Sequence, residues 1–176
     1  MDDIFSRFKA IIFDLDGTIL DTSQHWHRAS RNLLARRGFA QLNEHQEHML
    51  NSLAGVHINA SSALLREHFN LSEPLEEIMT EKLTLVHELL TGDRPPFIPG
   101  FESFVAFLRE KSIPHSIATN ADDRSLASIC STINLGTYFG SHIYNLSSVQ
   151  GRAKPDPALF LHAAKSLGFQ PEECVV

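Results

Sequence analysis

Cysteine, basic excess and long apolar runs are all scarce in this sequence, and each scarcity removes a class of function. Cys130 and Cys174 are the only two cysteines in 176 residues. They lie far apart with no CxxC spacing, which argues against a disulfide scaffold and for a reducing compartment. Acidic residues outnumber basic ones, 21 to 15, for a net charge of −6, and the isoelectric point is about 5.9. That is no footprint for nucleic acid. It leaves small phosphorylated ligands open, because a metal ion and local dipoles set the field at such a site. No apolar run reaches membrane-spanning length, and Met1-Asp2-Asp3 opens neither a basic nor an apolar leader. A cytoplasmic setting away from membranes is the expectation.

What is present is an ordinary globular composition, 43% hydrophobic and 20% charged, long enough to bury a core. Phe8-Lys9-Ala10-Ile11-Ile12-Phe13 is a nearly continuous apolar run that stops at Asp14, the mark of a parallel strand covered on both faces. Ile117-Ala118 ending at Thr119, Ile143-Tyr144 ending at Asn145, and Cys174-Val175-Val176 are shorter strand candidates. Between them Phe101, Phe104, Val105 and Leu108 fall at helical spacing. Phe160, Ala163, Ala164 and Leu167 repeat it, with Gly168 just past the end. Strand and helix in alternation predict an α/β fold with a Rossmann-like parallel sheet.

From Asp21 to Asp93 the alternation stops. Helical patterns alone run over roughly 24–37, 43–51, 59–69 and 73–91. The last carries Leu75, Ile78, Met79, Leu83, Val86 and Leu90 on one stripe. The spacing predicts an inserted all-helical domain over 21–93, with 1–20 and 94–176 forming a discontinuous core. The linkers are Ile19-Leu20-Asp21 and Arg94-Pro95-Pro96.

Asp14 and Asp16 stand one residue apart at the end of the apolar run. Two carboxylates there are costly unless they bind something, and Gly17 permits the turn that lets both face one crevice. That crevice, outside the carboxyl ends of the strands, is where open α/β sheets hold ligands. A solvated turn is what an isolated Asp-x-Asp would otherwise mean.

Asp14-Leu15-Asp16-Gly17-Thr18, preceded by four apolar residues, resembles the first motif of the haloacid dehalogenase superfamily. Thr119 in Ser116-Ile117-Ala118-Thr119-Asn120 is similar to the second, and Lys154 in Lys154-Pro155-Asp156-Pro157 to the third. A helical insertion directly after the first motif, with Asp21-Thr22 before it and Ile98-Pro99-Gly100-Phe101 after it, resembles the branch of beta-phosphoglucomutases and phosphoglycolate phosphatases. The resemblance implies a magnesium-dependent phosphatase of a small phosphorylated metabolite. Asp14 would be the nucleophile that forms an aspartyl-phosphate, and Asp16 the acid and then base. Thr119 and Lys154 would bind and neutralise the phosphoryl group. Gly17, Thr18 and Asn120 are the expected substrate contacts, and Mg2+ would sit on the Asp14 carboxylate and the Asp16 carbonyl. Asp16 speaks against true dehalogenation, which needs no leaving-group acid.

The family's fourth motif, an acidic pair after the next strand, is missing. Asp122-Asp123 read as helix-start acids, and Glu172-Glu173 precede the strand at its wrong end. The expectation is therefore a piece of a longer protein, with weak magnesium affinity on its own. Alternatives are a sugar phosphomutase and a non-catalytic remnant that binds a partner. The stretch Leu53–Asn59 lacks the arginine a mutase uses for a second phosphate, which favours the phosphatase. His25, His27, His45 and His48 have no third ligand at metal spacing and read as solvated helix faces. Trp26 and the phenylalanines read as core.

Overall fold

The computed structural model describes residues 7–176; the acidic start Met1-Asp2-Asp3 lies outside them. The described chain divides into two compact units, one combining the residues up to Asp21 with Pro96–Val176, the other Thr22–Pro95.

The first unit is built on four parallel strands, β1 (Ala10–Phe13), β2 (His115–Ala118), β3 (Ile143–Tyr144) and β4 (Cys174–Val175), in the order β3-β2-β1-β4. Pairing sets Phe13 beside Ile117, Ile117 beside Ile143, and Ala10 beside Cys174. The expected first strand is trimmed to Ala10. Lys9 remains tied to the edge through its N–H to the Glu173 carbonyl at 2.7 Å. Every residue of β1 is covered, with Ala10, Ile11 and Ile12 buried, as a central parallel strand requires.

The two faces of β1 pack against different material. Ile12 joins Ala118, Leu159, Ala163 and Ala164 beneath helix α8 (Ala158–Leu167). That helix ends at Gly168 with φ +86°, a left-handed cap that glycine adopts without a Cβ clash. On the other face the Phe13 ring meets Phe101, Phe104 and Phe139 edge-on at 5.9–6.3 Å between centroids. Phe101 and Phe104 belong to α5 (Phe101–Glu110) and Phe139 to the short α7 (Gly136–Phe139). Helix α6 (Asp123–Thr132) opens on the Asp122 carboxylate, which accepts from the Ser125 N–H at 2.6 Å.

The second unit holds α1 (Ser23–Ala35), α2 (Glu44–Asn51), α3 (Ile58–His68) and α4 (Leu75–Gly92). Helix α2 starts with a capping box between Asn43 and Gln46. Ala29, Leu33, Leu34, Leu65, Ile78, Val86 and Leu90 form its apolar interior. Arg37 bridges Glu73 and Glu81, each at 2.7 Å.

Two expectations need correction here. His25 is not on a solvated face; it is buried, with Nε2 at 2.9 Å from the Asp93 carbonyl. Trp26 is only partly buried, and of the described phenylalanines only Phe69, Phe101 and Phe139 are fully so. Phe13, Phe39, Phe97, Phe104 and Phe107 are partly buried and packed ring against ring at the margins of the core. Among the described residues no helix is long and apolar enough to cross a membrane.

Candidate active site

The carboxyl end of β1 is where the strand order turns: the chain goes on to β2 and β3 on one side and reaches β4 on the other. Open α/β sheets bind ligands at such a point. Asp14 is the first residue past it. The following loop closes on itself, because the Leu15 carbonyl accepts from Thr18, Ile19 and Leu20 while the Gly17 N–H donates to the Leu20 carbonyl at 2.7 Å. Gly17 takes φ +76° to allow this. Leu15 is fully buried between the two acids, whereas Asp14 and Asp16 are only partly covered. The loop thus drives its apolar residue into the core and leaves its carboxylates at the rim. Thr18 and Gly17 are exposed.

Thr119 lies just past the end of β2. Since Phe13 pairs with Ile117, Asp14 and Thr119 leave adjacent strands within a residue of the same level, one inter-strand spacing of about 4.8 Å apart. Thr119 is buried, its N–H bonded to the Tyr144 carbonyl at 3.0 Å. Its Oγ1 accepts from the Ala121 N–H at 3.1 Å, so the hydroxyl hydrogen remains available to an acceptor. Thr119 is not a helix cap. Asp122 has that role, three residues later.

Lys154 arrives from the loop before α8. Its Nζ lies 2.8 Å from Asp14 Oδ1, bringing together two residues 140 positions apart. Asn120 holds the loop: its Oδ1 accepts from the Lys154 N–H at 2.8 Å and its Nδ2 donates to the Lys154 carbonyl at 3.4 Å. The Lys154 ammonium also stands 4.8 Å from the centre of the Phe160 ring. The Asp14 side chain keeps 40% of its surface open against 18% for Lys154. The carboxylate, not the ammonium, is the group presented outward.

Asp123 and Glu173, one from each of the two acidic pairs, are engaged elsewhere. Asp123 accepts from the Asn145 amide at 2.8 Å and the Ser147 hydroxyl at 2.7 Å, and these two bonds hold its carboxyl below the ordinary carboxylate range. Glu173 sits at the amino end of the sheet, paired to Lys9 at 2.6 Å. Among the described residues no three His, Cys, Asp or Glu side chains gather as a metal cage. Around Asp14 the donors this chain offers a cation are its carboxylate and main-chain oxygens. That is a sparse set: a Mg2+ ion placed there would keep most of its waters and be held weakly.

Two surface cavities flank the sheet. One of about 340 Å³ is bordered by Arg109, His115, Tyr138 and His142 at the amino end of β2, remote from the acids. The other, about 290 Å³, has Thr18 on its wall but is otherwise lined by Phe13, Ile98, Pro99, Gly100, Phe101 and Phe104, which offer no charge to a phosphate. Neither competes with the Asp14 rim as the seat of chemistry.

A family model described as haloacid dehalogenase-like hydrolase matches residues 8–176. The chain is a haloacid dehalogenase-like hydrolase. The hydrolase is 26% identical over 172 residues to a phosphorylated carbohydrates phosphatase of Thermotoga maritima, covering 96% of this chain and 74% of that protein. It is 27% identical to hexitol phosphatase A of Escherichia coli, over 97% of this chain and 74% of the relative. Family and relatives together put the hydrolase among the phosphoric monoester hydrolases. A crystal structure of a haloacid dehalogenase family hydrolase from Deinococcus radiodurans, with bound phosphate and sodium, superposes with a TM-score of 0.72. It shares 29% identity, over 97% of this chain and 72% of that one. The fold also matches a beta-phosphoglucomutase of Clostridium difficile, TM-score 0.61 at 24% identity, over 95% of this chain and 74% of that one.

Proposed function

We propose that the hydrolase removes the phosphoryl group from a phosphorylated carbohydrate through a covalent intermediate on Asp14. The observation that carries this reading is the contact of Lys154 Nζ with Asp14 Oδ1 at the carboxyl end of β1. An ammonium there pairs with the carboxylate and offsets the charge of an approaching phosphate dianion. The names of the phosphatase relatives support a sugar phosphate as substrate.

In this reading an Asp14 oxygen forms a bond to phosphorus in line with the sugar oxygen, whose bond to phosphorus breaks. Asp16, two residues on in the closed loop, gives its proton to the leaving oxygen. It then takes a proton from the water that attacks phosphorus, which releases inorganic phosphate and restores Asp14. Thr119 donates its hydroxyl hydrogen to a phosphoryl oxygen, while the Gly17 and Thr18 N–H groups stay bonded within the loop, to the Leu20 and Leu15 carbonyls. Magnesium would be held by the Asp14 carboxylate and the Asp16 carbonyl and, when bound, would draw charge from the phosphate.

The test is hydrolysis of an aryl phosphate and a panel of hexose and hexitol phosphates, with and without magnesium. Activity on sugar phosphates should appear with the metal and fall by at least about a thousandfold in Asp14→Asn, as expected for loss of a nucleophile. An Asp14→Asn enzyme that keeps its rate refutes the assignment. Interconversion of sugar phosphates without phosphate release would make the enzyme a mutase.

A further inference from the structure

We propose that Asn120 and Phe160 form a two-point clamp that positions Lys154, one fixing its main chain and the other its ammonium. The proposal rests on the role of Lys154 given above. A free lysine has many rotamers to lose, so a cation that must meet one carboxylate gains from being held at both ends. At the backbone end the Asn120 carboxamide faces both the N–H and the carbonyl of Lys154, at 2.8 and 3.4 Å. It therefore imitates a strand neighbour for a loop residue that has none. Asn120 directly follows Thr119 at the end of β2, so the loop takes its position from the strand beside β1.

At the ammonium end the Phe160 ring centre lies 4.8 Å from Nζ, within the reach of a cation–π contact. Phe160 is in the first turn of α8, and its neighbours Ala158, Leu159, Ala163 and Ala164 are buried against Ile12 and Ala118. The ring is therefore set on the same rigid layer that carries Asp14. Held at its main chain by Asn120 and at its ammonium by Phe160, Lys154 brings Nζ to the Asp14 oxygen at 2.8 Å. This gives Asn120 a positioning role: the polar atoms expected to meet substrate are directed at the Lys154 main chain.

The experiment measures acetylation of Lys154 by limiting acetic anhydride in the full chain, read by peptide mass spectrometry against the exposed Lys165 as internal reference. Phe160→Leu keeps most of the volume but removes the π face; Phe160→Tyr keeps the face. Asn120→Ala removes the main-chain contacts. The ratio of Lys154 to Lys165 labelling should rise about threefold or more in Phe160→Leu and Asn120→Ala, the scale of one exposed cation–π or hydrogen-bond contact. It should stay within about 1.5-fold of the parent in Phe160→Tyr. In hydrolysis, kcat should drop with KM within about twofold, as for an interaction used in the transition state. An unchanged labelling ratio in Phe160→Leu, or a Phe160→Tyr variant as reactive as Phe160→Leu, overturns the clamp. The Phe160 pair decides if Asn120→Ala does not fold. Labelling needs no turnover, so an inactive parent would sink the phosphatase reading while the clamp is still judged on its own.

Discussion

Replacing Lys82 with methionine is expected to stabilise the protein, with an effect that fades as the pH rises. Lys82 lies in α4 and is only 2% exposed. Its ammonium donates to Ser61 Oγ at 2.8 Å and stands 5.9 Å from the Trp26 ring, with no carboxylate partner among the described residues. Burial pushes its pKa down from 10.5 to about 8. At about 1.4 kcal/mol per pKa unit, holding that charge costs the folded state about 3 kcal/mol. The sign follows from proton counting. Below pH 8 both states are protonated and the whole cost is borne. Between about 8 and 10.5 the folded chain has lost a proton that the unfolded chain still holds, so stability climbs with pH. Methionine removes the charge in a similar volume. It forfeits about 1 kcal/mol for the Ser61 hydrogen bond, but Ser61 keeps its bond to the Ile58 carbonyl. The net gain at pH 7 should be about 2 kcal/mol, and it should vanish by about pH 10. Urea unfolding followed by circular dichroism at pH 7, 8, 9 and 10 measures this directly. A variant less stable than the parent at pH 7, or a difference that is flat across the series, would show that Lys82 is not held as a desolvated cation.

Two further expectations concern other parts of the chain. Leu33→Ala in α1 opens a cavity at a fully buried position and should cost about 2–5 kcal/mol in the same unfolding assay. Asn145→Ala removes the first of the two hydrogen bonds that depress the Asp123 carboxyl. A carboxylate NMR titration should find Asp123 moved up toward 3.8, and the stability it lends, present above that pH and lost as pH falls through the folded value, should shrink. A titration that does not move would remove the Asn145 amide as the cause.

Much of the sheet was legible because a parallel strand buried on both faces has no polar residue to hide. Ala10–Phe13 and the sudden stop at Asp14 say this without help from the rest of the chain. The helix stripes were equally plain, and Leu75–Gly92 fell within two residues of its expected start. The site was legible only as a cast of residues. That Lys154 reaches Asp14 across 140 positions follows from the order β3-β2-β1-β4, which no local pattern encodes. His25 was misread for a similar reason: its environment is decided by the carbonyl of Asp93, 68 residues away. The dual engagement of Asn120 by Lys154 was equally out of reach, since an Asn beside a strand end more often serves its own turn.

The hydrogen bonds around Leu20 have a consequence for how the chain is assembled. Leu20 and Phe97 form an antiparallel bridge, Ile98 N–H donates to the Ile19 carbonyl, and Asp21 N–H to the Pro96 carbonyl. The point where the chain leaves the sheet unit and the point where it returns are thus zipped into a short ribbon. To the sheet unit, everything between Thr22 and Pro95 is the tip of a hairpin whose stem is already closed. Loop-closure entropy grows only slowly with the length of such a tip, so the helices can be lengthened, exchanged or cut back to a tight turn at little cost to the core. The ribbon makes the helical unit a cassette, and its sequence can change while Asp14, Thr119 and Lys154 stay where the sheet puts them.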